Sequence, residues 1–230
     1  MDWEMSVIIG LTVVFVSSYA FGSIWNRRIQ KAFWRSLREA LRRYTRRVSY
    51  KGLGSSGFKV AFRPSSGPLK KVEIALILLA REILPYLLAA YALGRRDRMI
   101  IKANAVAKPD FHFEAIGPKT SLKKEIKLKL EALKPVEAGG LSKYISLLSD
   151  RPDIASELLK RGLFDKLMEL RDCLERFSIS RAEPHIILVC RRREEAVGKA
   201  LGLVEKAGDV LRELSGVGER GRRGKRKRKR

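Results

Sequence analysis

The chain has 230 residues, 49 of them Lys or Arg against 25 Asp or Glu, for a formal net charge of +24. Its two cysteines, Cys173 and Cys190, are too few and too far apart for a disulfide framework or a zinc knuckle, and suit a reducing compartment. The charge gathers in two places, with +9 in residues 25–51 and +9 in 220–230, leaving +8 for 52–219 and −2 for 1–24, so polyanions are the expected partners.

The first element is an uncharged stretch of 22 residues, Met5 to Asn26. That length suffices to cross a hydrocarbon core about 30 Å thick as a helix. Asp2 and Glu4 precede it, and ten Lys/Arg against the single acid Glu39 follow between Trp25 and Lys51. The basic bias orients such a helix with its amino terminus outside and the bulk of the chain in the cytoplasm, and Trp3 and Trp25 fall where aromatic rings favour the interface. A cleaved signal peptide is the competing reading, weakened by the absence of a basic n-region. One Gln and two Asn in the whole chain resemble the amide depletion of hyperthermophiles, pointing to an archaeal thermophile.

Residues 27–51 are expected to form a basic amphipathic juxtamembrane helix, with Trp25, Ile29, Phe33, Leu37, Leu41, Tyr44 and Val48 on one stripe. Trp25, Arg27, Arg28, Lys31, Trp34, Arg35, Arg38, Arg42, Arg43, Arg46 and Arg47 are the candidate membrane-surface residues, set to reach anionic lipid headgroups. The same pattern suits a helix packed on its own domain, and both readings stay open. A globular domain, 52–192, follows. Gly52–Gly57 reads as a loop and Phe58–Phe62 as a strand. Residues 72–93 are apolar enough for a second span, but Arg81 and Glu82 at the centre and Pro85 favour buried helices of a soluble core. Met99–Val106 and Phe111–Ile116 read as a strand pair across Lys108-Pro-Asp110. Helices are expected at Leu122–Leu133, Leu141–Leu148, Ile154–Leu159 and Leu163–Phe177, and a short strand opens at Ile179. His185–Cys190 is expected as a buried strand. A C-terminal helix over 193–215 and a disordered polybasic tail over 216–230 complete the chain. The expected fold is thus an α+β cytoplasmic domain behind a single N-terminal transmembrane helix, residues 5–26, with 1–4 as a short external terminus.

The sequence gives no support for an enzyme or a cofactor site. Both G-x-G-x-x-G matches, at Gly52 and Gly216, lack the strand-before, helix-after context that a phosphate cradle needs. His112 and His185 have no ligand grouping, Glu194-Glu195 suit a helix start, and Cys190 lies in an apolar strand. The tail is different: Arg220, Arg222, Arg223, Lys225, Arg226, Lys227, Arg228, Lys229 and Arg230 are candidate nucleic-acid contacts, bound to phosphate backbones by counterion release without base readout. Anionic lipid and simple solubilisation are its other readings.

Several pieces recur in a telling order: a span followed by Trp25-Asn26 and a basic helix; Leu76-Ile-Leu-Leu-Ala-Arg81-Glu-Ile-Leu-Pro85 and the strand Met99–Val106; Phe113-Glu-Ala-Ile-Gly117 leading into Leu122–Leu133; and Leu163–Phe177 followed by Ile186-Ile-Leu-Val189, a long helix and a polybasic end. In this the chain, from about Phe21 onward, resembles the calumin family, the coiled-coil subunits of the PAT complex, an intramembrane chaperone for multipass membrane proteins. The resemblance implies a ribosome- and Sec-translocon-associated insertion factor, with ribosomal RNA and a small hydrophobic Asterix-like membrane subunit as partners. It also implies that 72–93 belong to the soluble domain. The chain departs from that family in lacking a long acidic outer segment and in its shorter C-terminal helix.

Overall fold

The computed structural model describes residues 3–118, 120, 124–137, 140 and 144–216. Its first element is one unbroken 39-residue helix, α1 (Trp3–Leu41). At 1.5 Å per residue it is about 58 Å long, roughly twice what a bilayer core requires. The juxtamembrane helix expected over 27–51 is therefore the carboxyl half of the same rod. It stops at Leu41, and Ser49–Gly52 is already a strand (β1).

Behind α1 lies one mixed α/β unit around a single antiparallel sheet. Its strands are β1, β2 (Gly57–Phe62), β3 (Leu69–Ile77), β4 (Arg98–Ala105), β5 (Phe113–Ile116), β6 (Lys134–Pro135), β7 (Ser146–Ser149), β8 (Leu174–Ile179) and β9 (Ile186–Arg191). Their spatial order is β1-β2-β3-β4-β9-β8-β5-β7-β6. The helices are α2 (Leu84–Ala92), α3 (Lys124–Glu131), α4 (Pro152–Leu158), α5 (Phe164–Met168) and α6 (Ala196–Leu214). Period-2 alternation sends Phe58, Val60, Val72, Ile74, Leu76, Met99 and Ile101 to one buried face, while Lys59, Glu73 and Lys102 take the other. On the buried face, α6 packs against β4 and β9, and the carboxyl half of α1 packs against β2 and α6.

Four expectations are corrected. Residues 72–77 are a central strand, with Lys71 and Glu73 alternating against Val72 and Ile74; only 84–92 of the apolar run is helical. A continuous apolar run does not reveal its own period, so strand and helix could not be told apart there. The two strands joined by Lys108-Pro-Asp110 do not pair with each other: β4 lies between β3 and β9, and β5 between β7 and β8. The helix expected over Leu163–Phe177 ends at Met168, and Leu174 begins β8, which runs through Ile179 instead of starting there. The helix expected over 141–148 gives way to β7 at its described end.

Candidate membrane anchor and arginine cleft

From Trp3 to Phe21 the side chains of α1 touch little of the rest of the protein: Ile8, Val13, Val16 and Phe21 are 58%, 58%, 63% and 70% exposed. This is the one helix among the described residues long and apolar enough to cross a membrane, with a mean hydropathy of 2.0 over its best window. Two of its hydroxyls bond within the helix, Thr12 Oγ1 donating to the Ile8 carbonyl at 2.8 Å and Ser18 Oγ to that of Phe15 at 3.2 Å. Such back-bonding suits a hydroxyl in an apolar solvent.

Where the uncharged stretch ends, the domain grips the helix. Gly22 lies so close to the segment after β3 that a Cβ would meet the Arg81 carbonyl carbon at 2.3 Å. One turn on, Asn26 is fully buried; its Nδ2 donates to the Leu79 carbonyl at 2.9 Å, and its Oδ1 accepts from Arg81 at 2.8 Å. Arg81 also makes a two-pronged pair with Asp97, at 3.1 and 2.8 Å, and Arg192 reaches the same carboxylate at 3.3 Å. Glu82 accepts from Ser55 Oγ at 2.5 Å. The two charges at the middle of the apolar run are thus both spent on this clasp. Gln30 Nε2 extends it by donating to the carbonyls of Gly54 and Ser55. The first glycine-rich loop therefore turns two of its carbonyl oxygens, not a nest of N–H groups, toward its neighbour, which does not make a phosphate cradle.

Further along α1, Phe33, Leu37 and Leu41 are buried in the core, and Arg27, Arg28, Lys31, Arg35, Arg38 and Arg42 face outward. Trp25 is 54% exposed. The half-buried Trp34 ring packs edge-on against Tyr50 and Phe58 at 5.4 and 5.8 Å. Phe33, Leu37 and Leu41 of the apolar stripe are covered by the domain, whereas Trp25 and Val48 at its two ends stay exposed.

At the far end of α1 the chain turns through Arg42–Arg47 and opens a cleft of about 790 Å³ lined by Arg42, Arg43, Arg46, Arg47, Arg63 and the Ser65-Ser66-Gly67 turn, with Glu205 as its one acid. Arg43 donates to the Tyr44 hydroxyl at 2.6 Å, which donates to Glu205 at 2.8 Å. Burial, followed by the bond to Glu205, pushes the Tyr44 phenol up to about 12, so it stays a donor at neutral pH. Arg42, Arg46, Arg47 and Arg63 have no acidic partner within 4.0 Å among the described residues. Such convergent guanidinium groups beside two serines suit phosphate oxygens.

No protein-family model matches the chain, and neither does any curated protein sequence. Among solved structures it is similar to the crystal structure of the mycobacterial trehalose monomycolate transport factor A, TtfA, with 12% identity and a TM-score of 0.49 over 81% of this chain and 96% of that one.

Of the residues singled out from sequence, Arg42, Arg43, Arg46 and Arg47 converge; Arg63, on the turn after β2, completes their cleft and had no signal in its own neighbourhood. The tail residues Arg220, Arg222, Arg223, Lys225, Arg226, Lys227, Arg228, Lys229 and Arg230 lie outside the described residues. His112 Nε2 sits 2.9 Å from the buried Glu114, His185 is in the core, and no group of three His, Cys, Asp or Glu suited to a metal occurs among the described residues.

Proposed function

We propose that this is a membrane-anchored factor, associated with the ribosome and the Sec translocon, that assists insertion or folding of multipass membrane proteins. The observation that carries it is the unbroken helix α1, apolar and solvent-exposed at one end and leading into a five-arginine cleft at the other. The positive-inside bias sets the orientation: amino terminus out, domain and polybasic tail in the cytoplasm. Leu41, the last helical residue, is fifteen residues beyond Asn26, so the cleft stands about 22 Å below the bilayer core. With a headgroup layer of about 5–8 Å on that side, the cleft is still roughly 15 Å from the headgroups, and charges at that distance are largely screened, the Debye length being about 8 Å at physiological salt. A large soluble polyanion held at the membrane, such as ribosomal RNA, fits that height, and the likeness in element order to the calumin family points the same way. The bare apolar surface of α1 would take an Asterix-like membrane subunit or the channel.

The second reading is a membrane-tethered nucleic-acid or anionic-lipid binder unrelated to insertion; Arg27, Arg28 and Lys31, one turn past Asn26, favour a local lipid contribution. Co-sedimentation with 70S ribosomes separates the two. The full chain should pellet with ribosomes at about 0.1 M salt, with log affinity falling against log salt by roughly 0.7–0.9 per phosphate contact. The variant Arg42→Gln/Arg46→Gln/Arg63→Gln should bind more weakly with a shallower slope, as should deletion of 220–230. Equal affinity for free duplex DNA would favour the second reading, and salt-independent absence of binding would defeat both.

A further inference from the structure

Helix α2 is the least explained part of the surface. Between Ile83 and Leu93 it carries no charge, yet Ile83, Leu84, Leu88 and Leu93 are 53%, 42%, 64% and 68% exposed, and within α2 only Ala90 is buried. A helix apolar on all sides belongs in an apolar environment, and a soluble surface rarely leaves such a patch bare. At nine residues it is about 14 Å long and cannot span a bilayer.

Its place in the fold says what covers it. The segment leading into α2, Leu79–Glu82, is the one that closes on α1 at Gly22 and Asn26, the carboxyl end of the uncharged stretch. α2 therefore starts beside the point where α1 leaves the bilayer. Its flanks have the composition of an interface: Tyr86 and Tyr91 on the helix, Phe21 and Trp25 on neighbouring α1, and Arg95 and Arg96 immediately after, with the Arg96 guanidinium 5.3 Å from the Tyr91 ring centre. The charges that would forbid such depth, Arg81 and Asp97, are paired with each other and covered by protein, at 10% and 7% side-chain exposure.

We infer that α2 lies in the membrane interface beside α1, with Leu84, Leu88 and Leu93 among the lipid acyl chains, as a second, non-spanning attachment of the domain to the leaflet from which α1 emerges. This rests on α1 being the membrane anchor. Two attachments restrain the tilt of the domain against the membrane plane, where a lone helix would leave it free to rock, and so hold the arginine cleft at one height from its membrane.

The test uses the full chain in phosphatidylcholine/phosphatidylglycerol nanodiscs, with an environment-sensitive dye on a thiol introduced by Leu88→Cys, Val14→Cys or Val48→Cys. The native Cys173 and Cys190 are buried, which leaves the new thiol as the reactive one. Val14 reports on the mid-span of α1, and Val48 on the chain beyond its far end. At Leu88 the dye should be shielded from aqueous iodide and quenched several-fold more strongly than at Val48 by lipid brominated near the headgroup. Iodide access at Leu88, with quenching at Val14 retained by lipid brominated near the end of its acyl chains, would overturn the interfacial placement and leave the anchor standing. Shielding at Leu88 from both quenchers would overturn it in favour of a second copy of the chain covering α2. Loss of bromolipid quenching at both Leu88 and Val14 would overturn the anchor as well.

Discussion

Gly22 and Gly10 lie on the same helix and differ only in what they face. Nothing stands within 4 Å of a Cβ built on Gly10, whereas one on Gly22 strikes the backbone of Arg81 and Glu82. Gly10→Ala should be neutral or add up to about 1 kcal/mol of helix propensity. Gly22→Ala must push two backbones apart, costing ~1–3 kcal/mol, and should lower the unfolding temperature of the chain in detergent micelles. Glu114 offers a second measurement at this scale. It is fully buried between His112, Arg176 and Ser178, with Arg176 at 2.9 and 2.6 Å. Burial, the largest influence, pushes its carboxyl up, but the bonds from Arg176, His112 and Ser178 together outweigh it and hold it below the ordinary 4.5. With the folded value lowered, the stability Glu114 contributes is complete above about pH 4.5 and is lost as the pH falls through the depressed value. Urea titrations from pH 7 down to 3 should show that acid limb. Glu114→Gln should shrink it and cost about 3 kcal/mol at neutral pH by stranding Arg176.

Two elements are each divided between environments. α1 changes solvent along its length: every described residue before Gly22 is exposed or at most half-buried, whereas Phe33 and Leu37 beyond it are completely covered. Phe33→Ala removes a ring packed 6.2 Å from that of Phe58 and should cost about 3–5 kcal/mol of domain stability. Val14→Ala, on the exposed half, should leave domain stability unchanged in the same denaturation assay. The run 72–93 is divided as well. Its first part alternates and is zipped between β2 and β4, and the remainder leaves the sheet at the Leu79–Glu82 clasp to form α2. Reading it as one buried helical stretch failed because hydrophobicity alone carries no period. The clasp itself was invisible in sequence, since Asn26, Arg81 and Asp97 are separated by 55 and 16 positions.

For the molecule as a whole, the proposed function needs the clustered cations on the ribosome-bearing side. Protease added to sealed, right-side-out cells should spare the arginine- and lysine-rich carboxyl end; its digestion from outside would reverse the orientation and remove the ribosome as a partner. The charge map was legible from the sequence: two basic blocks, a near-ordinary middle and an uncharged lead. The cleft was legible only in part. Arg42, Arg43, Arg46 and Arg47 stand out in the sequence as a basic set, but only the turn after α1 gathers them with Arg63 and Ser65, sixteen or more positions away.

Hydropathy and charge, which are sums over neighbouring residues, determined by themselves an apolar N-terminal helix long enough for a bilayer, a mixed helix-and-sheet body and a basic helix following the apolar one. Tertiary structure alone decided that the apolar and the basic helix are one rod, that the domain covers Phe33, Leu37 and Leu41 of its amphipathic stripe, and that α2 is left bare beside the end of the uncharged stretch. Those outcomes depend on which distant segments compete for the same apolar surface. Long-range packing between β2, α6 and α1, and the Asn26–Arg81–Asp97 contacts, resolve that competition, and local sequence holds no record of it.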